Sequence, residues 1–168
     1  LNPITFFKKM KDVVLFAFST SSSAATIPVT LKTANQDLGV NQNVASFVVP
    51  VGATINMDGT AIMQGLATVF IAQMSGIDLT LFQYMQVVLL AVATSIGTAA
   101  VPSAGTITLI IILQQFNLPL EAIGIILAVD RVLDMIRTSV NVTGDAAIAC
   151  IVAKTENQLD ENIFNSKS

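Results

Sequence analysis

The chain has 168 residues, of which 53% are hydrophobic and only 11% charged, and its mean hydropathy is +0.73, so a bilayer is the first environment to consider. A net charge of −3 and a pI of about 4.6 leave no basic stripe for phosphates, which excludes nucleic acid as a partner. One cysteine, Cys150, and no histidine exclude an internal disulfide framework, make a zinc or iron site improbable and remove the Ser-His and Cys-His nucleophiles.

Lys8, Lys9 and Lys11 near the start and Lys154 near the end lie outside the apolar stretches and suit flanking, interfacial positions. With no initiating Met and no signal-peptide layout, the chain reads as a piece of something longer. The first predicted helix covers residues 6–18, and the small polar cluster 19–28, STSSSAATIP, follows in the middle of an apolar region. A solvated serine linker is the plainer reading. Between two apolar arms of similar length, the cluster instead predicts the tip of a re-entrant helical hairpin spanning 1–34, with Pro28 and Thr30 opening the returning arm.

Residues 43–75 predict a helix broken by Asn56-Met57-Asp58-Gly59-Thr60, where glycine frees the backbone and Asn56 and Asp58 bring oxygen atoms into the break. Asp-Gly also marks ordinary turns, and Met57 is equally a core residue or a ligand. A second hairpin covers 81–116, with SIGTAAVPSAGT between its arms; Gly97, Gly105 and Pro102 predict a tip more flexible than the first. The last helix runs over 119–154, and 156–168 is a polar tail.

Within that last helix, Asp130, Asp134, Arg137, Asn141 and Asp145 recur at spacings of four, three, four and four, which puts them on one face. At membrane depth each charge costs about 2.5–3.5 kcal/mol on insertion scales, so the row must face protein, water or a ligand. For Asp130 and Arg131, a solvated face or ion pairing among Asp130, Arg131 and Asp134 competes with a binding role. The two halves also repeat: each is a hairpin followed by a polar-centred helix, and TINMDGTAI resembles SVNVTGDAAI. The expected fold class is therefore all-α integral membrane, with two re-entrant hairpins, one broken helix and one long polar-striped helix in inverted repeats, the pattern of a secondary transporter with a midplane site.

SSSAATIPVT, NMDGT, SIGTAAVPSAG and DRVLDMIRTSVNVTGD, in that order, resemble the glutamate transporter homologue family of sodium-coupled acidic amino acid symporters. That family is itself among the cases from which the inverted-repeat pattern is drawn, so the two do not count twice. The resemblance covers nearly the whole chain before the tail and implies that residues 1–155 are the C-terminal part of an elevator-type transport domain. It also implies a homotrimer assembled through a scaffold outside this chain, in a multi-pass protein of the cell membrane (the inner membrane in a bacterium) in contact with lipid. No cofactor is implied beyond sodium as coupling ion.

By that resemblance, L-aspartate or L-glutamate lies between the hairpin tips: Asp134 takes the amino group, Arg137 the side-chain carboxylate and Asn141 the main-chain carboxylate. Thr138 and Thr60 lie beside it, and backbone near Ser22, Ser23 and Gly105 closes the pocket. Arginine's planar fork suits a carboxylate, and an aspartate one turn away suits an ammonium. The sodium ligands implied are Gly52, Asn56, Asn141 and Asp145 at one site; Thr54, Ser95, Ile96 and Thr98, with the Met57 sulfur, at a second; and Asn56 and Asp58 at a third, completed by a helix outside this chain. Some archaeal members carry an arginine in the first hairpin tip, at the position of Ser21, whereas this chain has Arg131 on the last helix, as the eukaryotic carriers do, and in those relatives that placement accompanies potassium countertransport. Gln64 stands where eukaryotic carriers have the glutamate of proton cotransport. Sodium-coupled symport, with the second hairpin as gate, is the leading expectation. A proton-coupled glutamate or C4-dicarboxylate carrier is the alternative, and an ion channel or a protease using Asp58 with Asp134 or Asp145 are rivals from other classes.

Overall fold

The structure, a computed structural model, describes residues 1–166 and is all-helical over them. In chain order the helices are α1 (Pro3–Lys9), α2 (Lys11–Thr20), α3 (Ser23–Gln36), α4 (Gln42–Ile55), α5 (Asp58–Met74), α6 (Leu81–Ile96), α7 (Ala104–Gln115), a 3-10 turn (Leu120–Ala122), α8 (Ile123–Thr155) and α9 (Glu161–Asn165).

The first turn is shorter than its serine-rich sequence suggests. Ser21 takes the left-handed conformation (φ 51°) that ends α2, and extended Ser22 caps α3 by accepting from the Ala25 amide at 3.2 Å. The cap restarts the helix at once, so Pro28 lies inside α3 rather than at the mouth of the returning arm. The broken helix loses only Asn56 and Met57: α4 stops at Ile55, and α5 starts at Asp58, whose carboxylate suits a helix N-terminus. The second turn is longer, residues 97–103, and Ser103 enters α7 with a φ of 62°.

α2, α4 and α5 lie along α8, whereas α7 packs chiefly on α5 and α6 and touches α8 sparsely. Two apolar clusters divide the interior: Val13, Ala17, Leu38, Val49, Ala146 and Ala149 belong to one, and Ile71, Leu109, Leu113 and Ile126 to the other. Between them the chain is inside-out. Asp130, Asp134, Arg137, Asn141 and Asp145 are all 1–4% exposed, while Leu127, Val129, Val132, Ile136 and Ile151 on the same helix are more than half exposed. Phe47, Leu66, Leu81, Phe82 and Ile107 extend that apolar exterior.

Among the described residues, no helix is both long and apolar enough to cross a membrane. The arms of the two helical pairs have 10–16 residues, about 15–24 Å at 1.5 Å per residue, against a hydrocarbon core of about 30 Å. α8 has the length, 33 residues, but its polar row keeps it from being apolar enough.

The tail is polar in composition yet packs back on the fold. Val40 and Leu159 form an antiparallel bridge, and Phe164 on α9 is fully buried in the first apolar cluster. The Lys9 ammonium gives hydrogen bonds to the carbonyls of Asp37 (2.8 Å) and Ile163 (2.7 Å) and to the Ser166 hydroxyl (3.3 Å). One buried amine thus ties α1, the α3–α4 loop and the tail together.

Candidate functional site

Every charged member of the α8 row has a partner from another turn or another element. Arg137 donates from Nε and Nη2 to Oδ1 of Asp134, at 3.1 and 2.5 Å, one turn back on the same helix. Thr138 Oγ1 also lies 3.4 Å from that oxygen, and the second oxygen accepts from the Ser103 amide at 2.7 Å. Both oxygens of Asp134 are therefore engaged. Arg137 Nη1 is not: it is buried and has no hydrogen-bond partner.

The site depends on two close approaches that only glycine allows. A Cβ on Gly105 would collide with Nη1 and Cζ of Arg137, and one on Gly59 would collide with the Arg137 main chain. Gly59 also donates its amide to Asn141 Oδ1 at 2.8 Å, while Asn141 Nδ2 lies 3.3 Å from both Met57 Sδ and Thr60 Oγ1. Overhead, the two turns meet: Ser22 Oγ donates to the Ala100 carbonyl at 2.9 Å, and the Ala24 amide reaches the same oxygen at 3.3 Å.

Of the residues expected to hold substrate, Ser23, Thr60, Gly105, Asp134, Arg137, Thr138 and Asn141 line one cavity, and Ser22 sits in its roof. Its volume is about 10 Å³, room for a single water. In this closed arrangement the cavity is too small for an amino acid, and residues of both turns line it.

The expected sodium ligands divide. Gly52, Asn56, Asp58 and Asp145 come together with Gly144. Asn56 Nδ2 donates to Asp145 Oδ1 at 3.1 Å; a Cβ on Gly52 would stand 2.6 Å from Asp145 Oδ1, and one on Gly144 3.1 Å from Asp58 Oδ2. Asn141 belongs to the cavity instead. Thr54 is exposed and bonds to the Val51 carbonyl, Ser95 is buried against Val92, Ile96 is half exposed, and Thr98 bonds to Thr94 and Thr108. Among the described residues, no hydrogen bond joins Thr54 to Ser95, Ile96 or Thr98, and no three His, Cys, Asp or Glu side chains cluster as metal ligands. Hard cations at such a place rely on carbonyl oxygens, as helix breaks supply them.

Several polar residues join the site through partners that the sequence did not announce. Gln64 Nε2 donates to the Gly105 carbonyl (3.1 Å) and Thr108 Oγ1 (2.6 Å), while its Oε1 accepts from Thr94 at 2.9 Å. Asp130 is neither solvated nor paired with Arg131: it is buried and accepts from Thr106 Oγ1, while Arg131 turns to the Ser19 carbonyl at 3.4 Å. Threonines spaced along an apolar helix give no signal of which carboxylate they meet.

Residues 1–155 match the sodium:dicarboxylate symporter family. The chain is 48% identical over 151 residues to excitatory amino acid transporter 2 of Homo sapiens, covering 90% of this chain and 26% of that protein. It is 47% identical over 151 residues to an excitatory amino acid transporter of Caenorhabditis elegans (90% and 30%) and 48% identical over 153 residues to excitatory amino acid transporter 3 of Mus musculus (91% and 29%). The chain thus spans under a third of the length of these relatives.

Proposed function

The chain belongs to the sodium:dicarboxylate symporter family, and from that premise we propose that it is the substrate- and sodium-binding part of a membrane carrier for aspartate or glutamate. The observation that carries the reading is the buried Arg137–Asp134 pair with Nη1 of Arg137 unpartnered, beneath two helical turns that touch each other. An acidic amino acid brings a carboxylate for the guanidinium and an ammonium for Asp134, so both buried charges stay paired when it binds. The names of the relatives support the same cargo.

Sodium enters at the helix break, where Asp145, Asn56 and Asp58 gather against Gly52 and Gly144. The two helical pairs, α2–α3 and α6–α7, are re-entrant hairpins in a chain whose apolar side chains face outward and whose polar row faces in. The second is the gate: its turn covers the cavity, and sodium lets it close over a loaded site. In the assembled protein the segment moves as part of an elevator within a trimer, against a scaffold outside residues 1–155.

Radiolabelled aspartate uptake by the full-length protein in liposomes tests this reading. Uptake driven by an inward sodium gradient is expected; uptake that ignores sodium and follows a proton gradient would replace it with a proton-coupled carrier.

A further inference from the structure

The first carboxylate of the α8 row, Asp130, does not line the cavity, yet it is 4% exposed and accepts from Thr106 Oγ1 on α7. The guanidinium next to it in sequence, Arg131, points outward to Ser19. A carboxylate buried without a cation is costly, so the group it does hold matters.

That group lies on an arm with only a sparse hold on α8. α2, α4 and α5 pack along α8, whereas α7 touches it sparsely. Two polar tethers join the second hairpin to this face of α8: the Ser103 amide on Asp134, at 2.7 Å, and the Thr106 hydroxyl on Asp130. They end on two carboxylates one turn apart. The tethers differ in what else reaches them. Asp134 lines the cavity, and under the proposed function it receives the cargo's ammonium, so cargo competes with Ser103 for it. Asp130 lies off the cavity, and cargo does not compete with Thr106.

We propose that Thr106 and Asp130 form a cargo-independent latch that holds the α7 arm of the second hairpin against α8, while the neighbouring Asp134 tether is exchanged for cargo. Thr106 is then a positioning residue: it touches neither cargo nor ion and acts through the hairpin it fastens. The row accordingly has three successive duties, latch at Asp130, cargo at Asp134 to Asn141 and cation at Asp145. The latch rests on the reading of the second hairpin as a gate.

Amide hydrogen exchange in the full-length protein, without amino acid or any ion gradient, tests the latch separately from transport. Thr106→Val, which keeps the volume and removes the hydroxyl, is expected to speed exchange at residues 97–106 by about tenfold, the worth of one hydrogen bond to a charged group. Thr106→Ala should do the same without risk of overpacking, Thr106→Ser should restore the wild-type rate, and α4 and α5 should exchange as before. In a double-mutant cycle, Thr106→Val with Asp130→Ala should exchange no faster than the faster single variant. Unchanged exchange at 97–106 in both hydroxyl-deleted variants, failure of serine to restore it, or additive effects in the cycle would each overturn the latch, whatever the protein carries.

Discussion

Arg137 donates two of its nitrogens to a single oxygen of Asp134 and leaves the third, Nη1, buried without a partner. The pair is neutral as a whole but not saturated. An incoming group with one positive and two negative charges can divide the pair between its own ends and leave neither buried charge alone. A neutral amino acid has only its main-chain carboxylate to offer; with that group at Asn141, as the family resemblance implies, Arg137 would lose Asp134 to the ammonium and have no anion of its own.

Arg137→Thr should therefore abolish the preference for acidic cargo. Aspartate affinity is expected to fall by at least about 100-fold, the scale of truncating one partner of a buried charged pair, and neutral amino acids should gain affinity. Binding isotherms for aspartate and for serine check both. The same change strands Asp134 and should cost about 3–5 kcal/mol of stability, read as a lowered melting temperature.

Gly105→Ala and Gly59→Ala separate site from scaffold. A methyl at 105 meets the flexible guanidinium and the Thr60 methyl, so the fold should survive while aspartate affinity drops. At 59 it meets the main chain of α8, which cannot swing aside, so that variant should melt earlier even without cargo. Equal loss of stability in the two would contradict this division.

Gly52→Ala puts a methyl 2.6 Å from Asp145 Oδ1 and must displace the carboxylate. Sodium affinity, measured by titrating sodium at fixed aspartate, is expected to weaken on the order of tenfold, as when a ligand's support is removed. Asp145→Asn should weaken it further, since the amide brings no charge to the cation.

The tail supplies a stability test. Phe164→Ala empties a fully buried site shared with Val13, Leu38 and Ala153, and should cost about 3–5 kcal/mol. Lys9→Met removes three donors at once and leaves the Asp37 and Ile163 carbonyls without that amine, so it too should lower the melting temperature. Neither residue is near the cavity, and aspartate affinity of the folded fraction should not change.

The α8 row was legible because helical periodicity carries it: spacings of four, three, four and four need no tertiary information, and all five side chains are buried. The break at Asn56 and Met57 was legible for a similar reason, a polar pentapeptide inside an apolar run. What stayed hidden depends on partners far apart in sequence. Nothing about Pro28 announces that capping by Ser22 starts α3 early enough to enclose it. Lys9 reads as an interfacial charge until Asp37, Ile163 and Ser166 converge on it, and Phe164 reads as part of a polar tail. Thr106 looks like any helical threonine until α7 is laid beside Asp130.

Equilibrium binding of labelled aspartate to the full-length protein across a range of sodium concentrations decides between a coupled carrier and a simple binding site. Because linkage is reciprocal, cation and cargo must strengthen each other if sodium closes the second hairpin over the loaded cavity. The aspartate Kd is expected to fall steeply as sodium rises, and to lose that dependence in Asp145→Asn. An aspartate Kd that stays constant from sodium-free to sodium-saturated buffer would contradict the assignment of Asp145 and Arg137 to one coupled site.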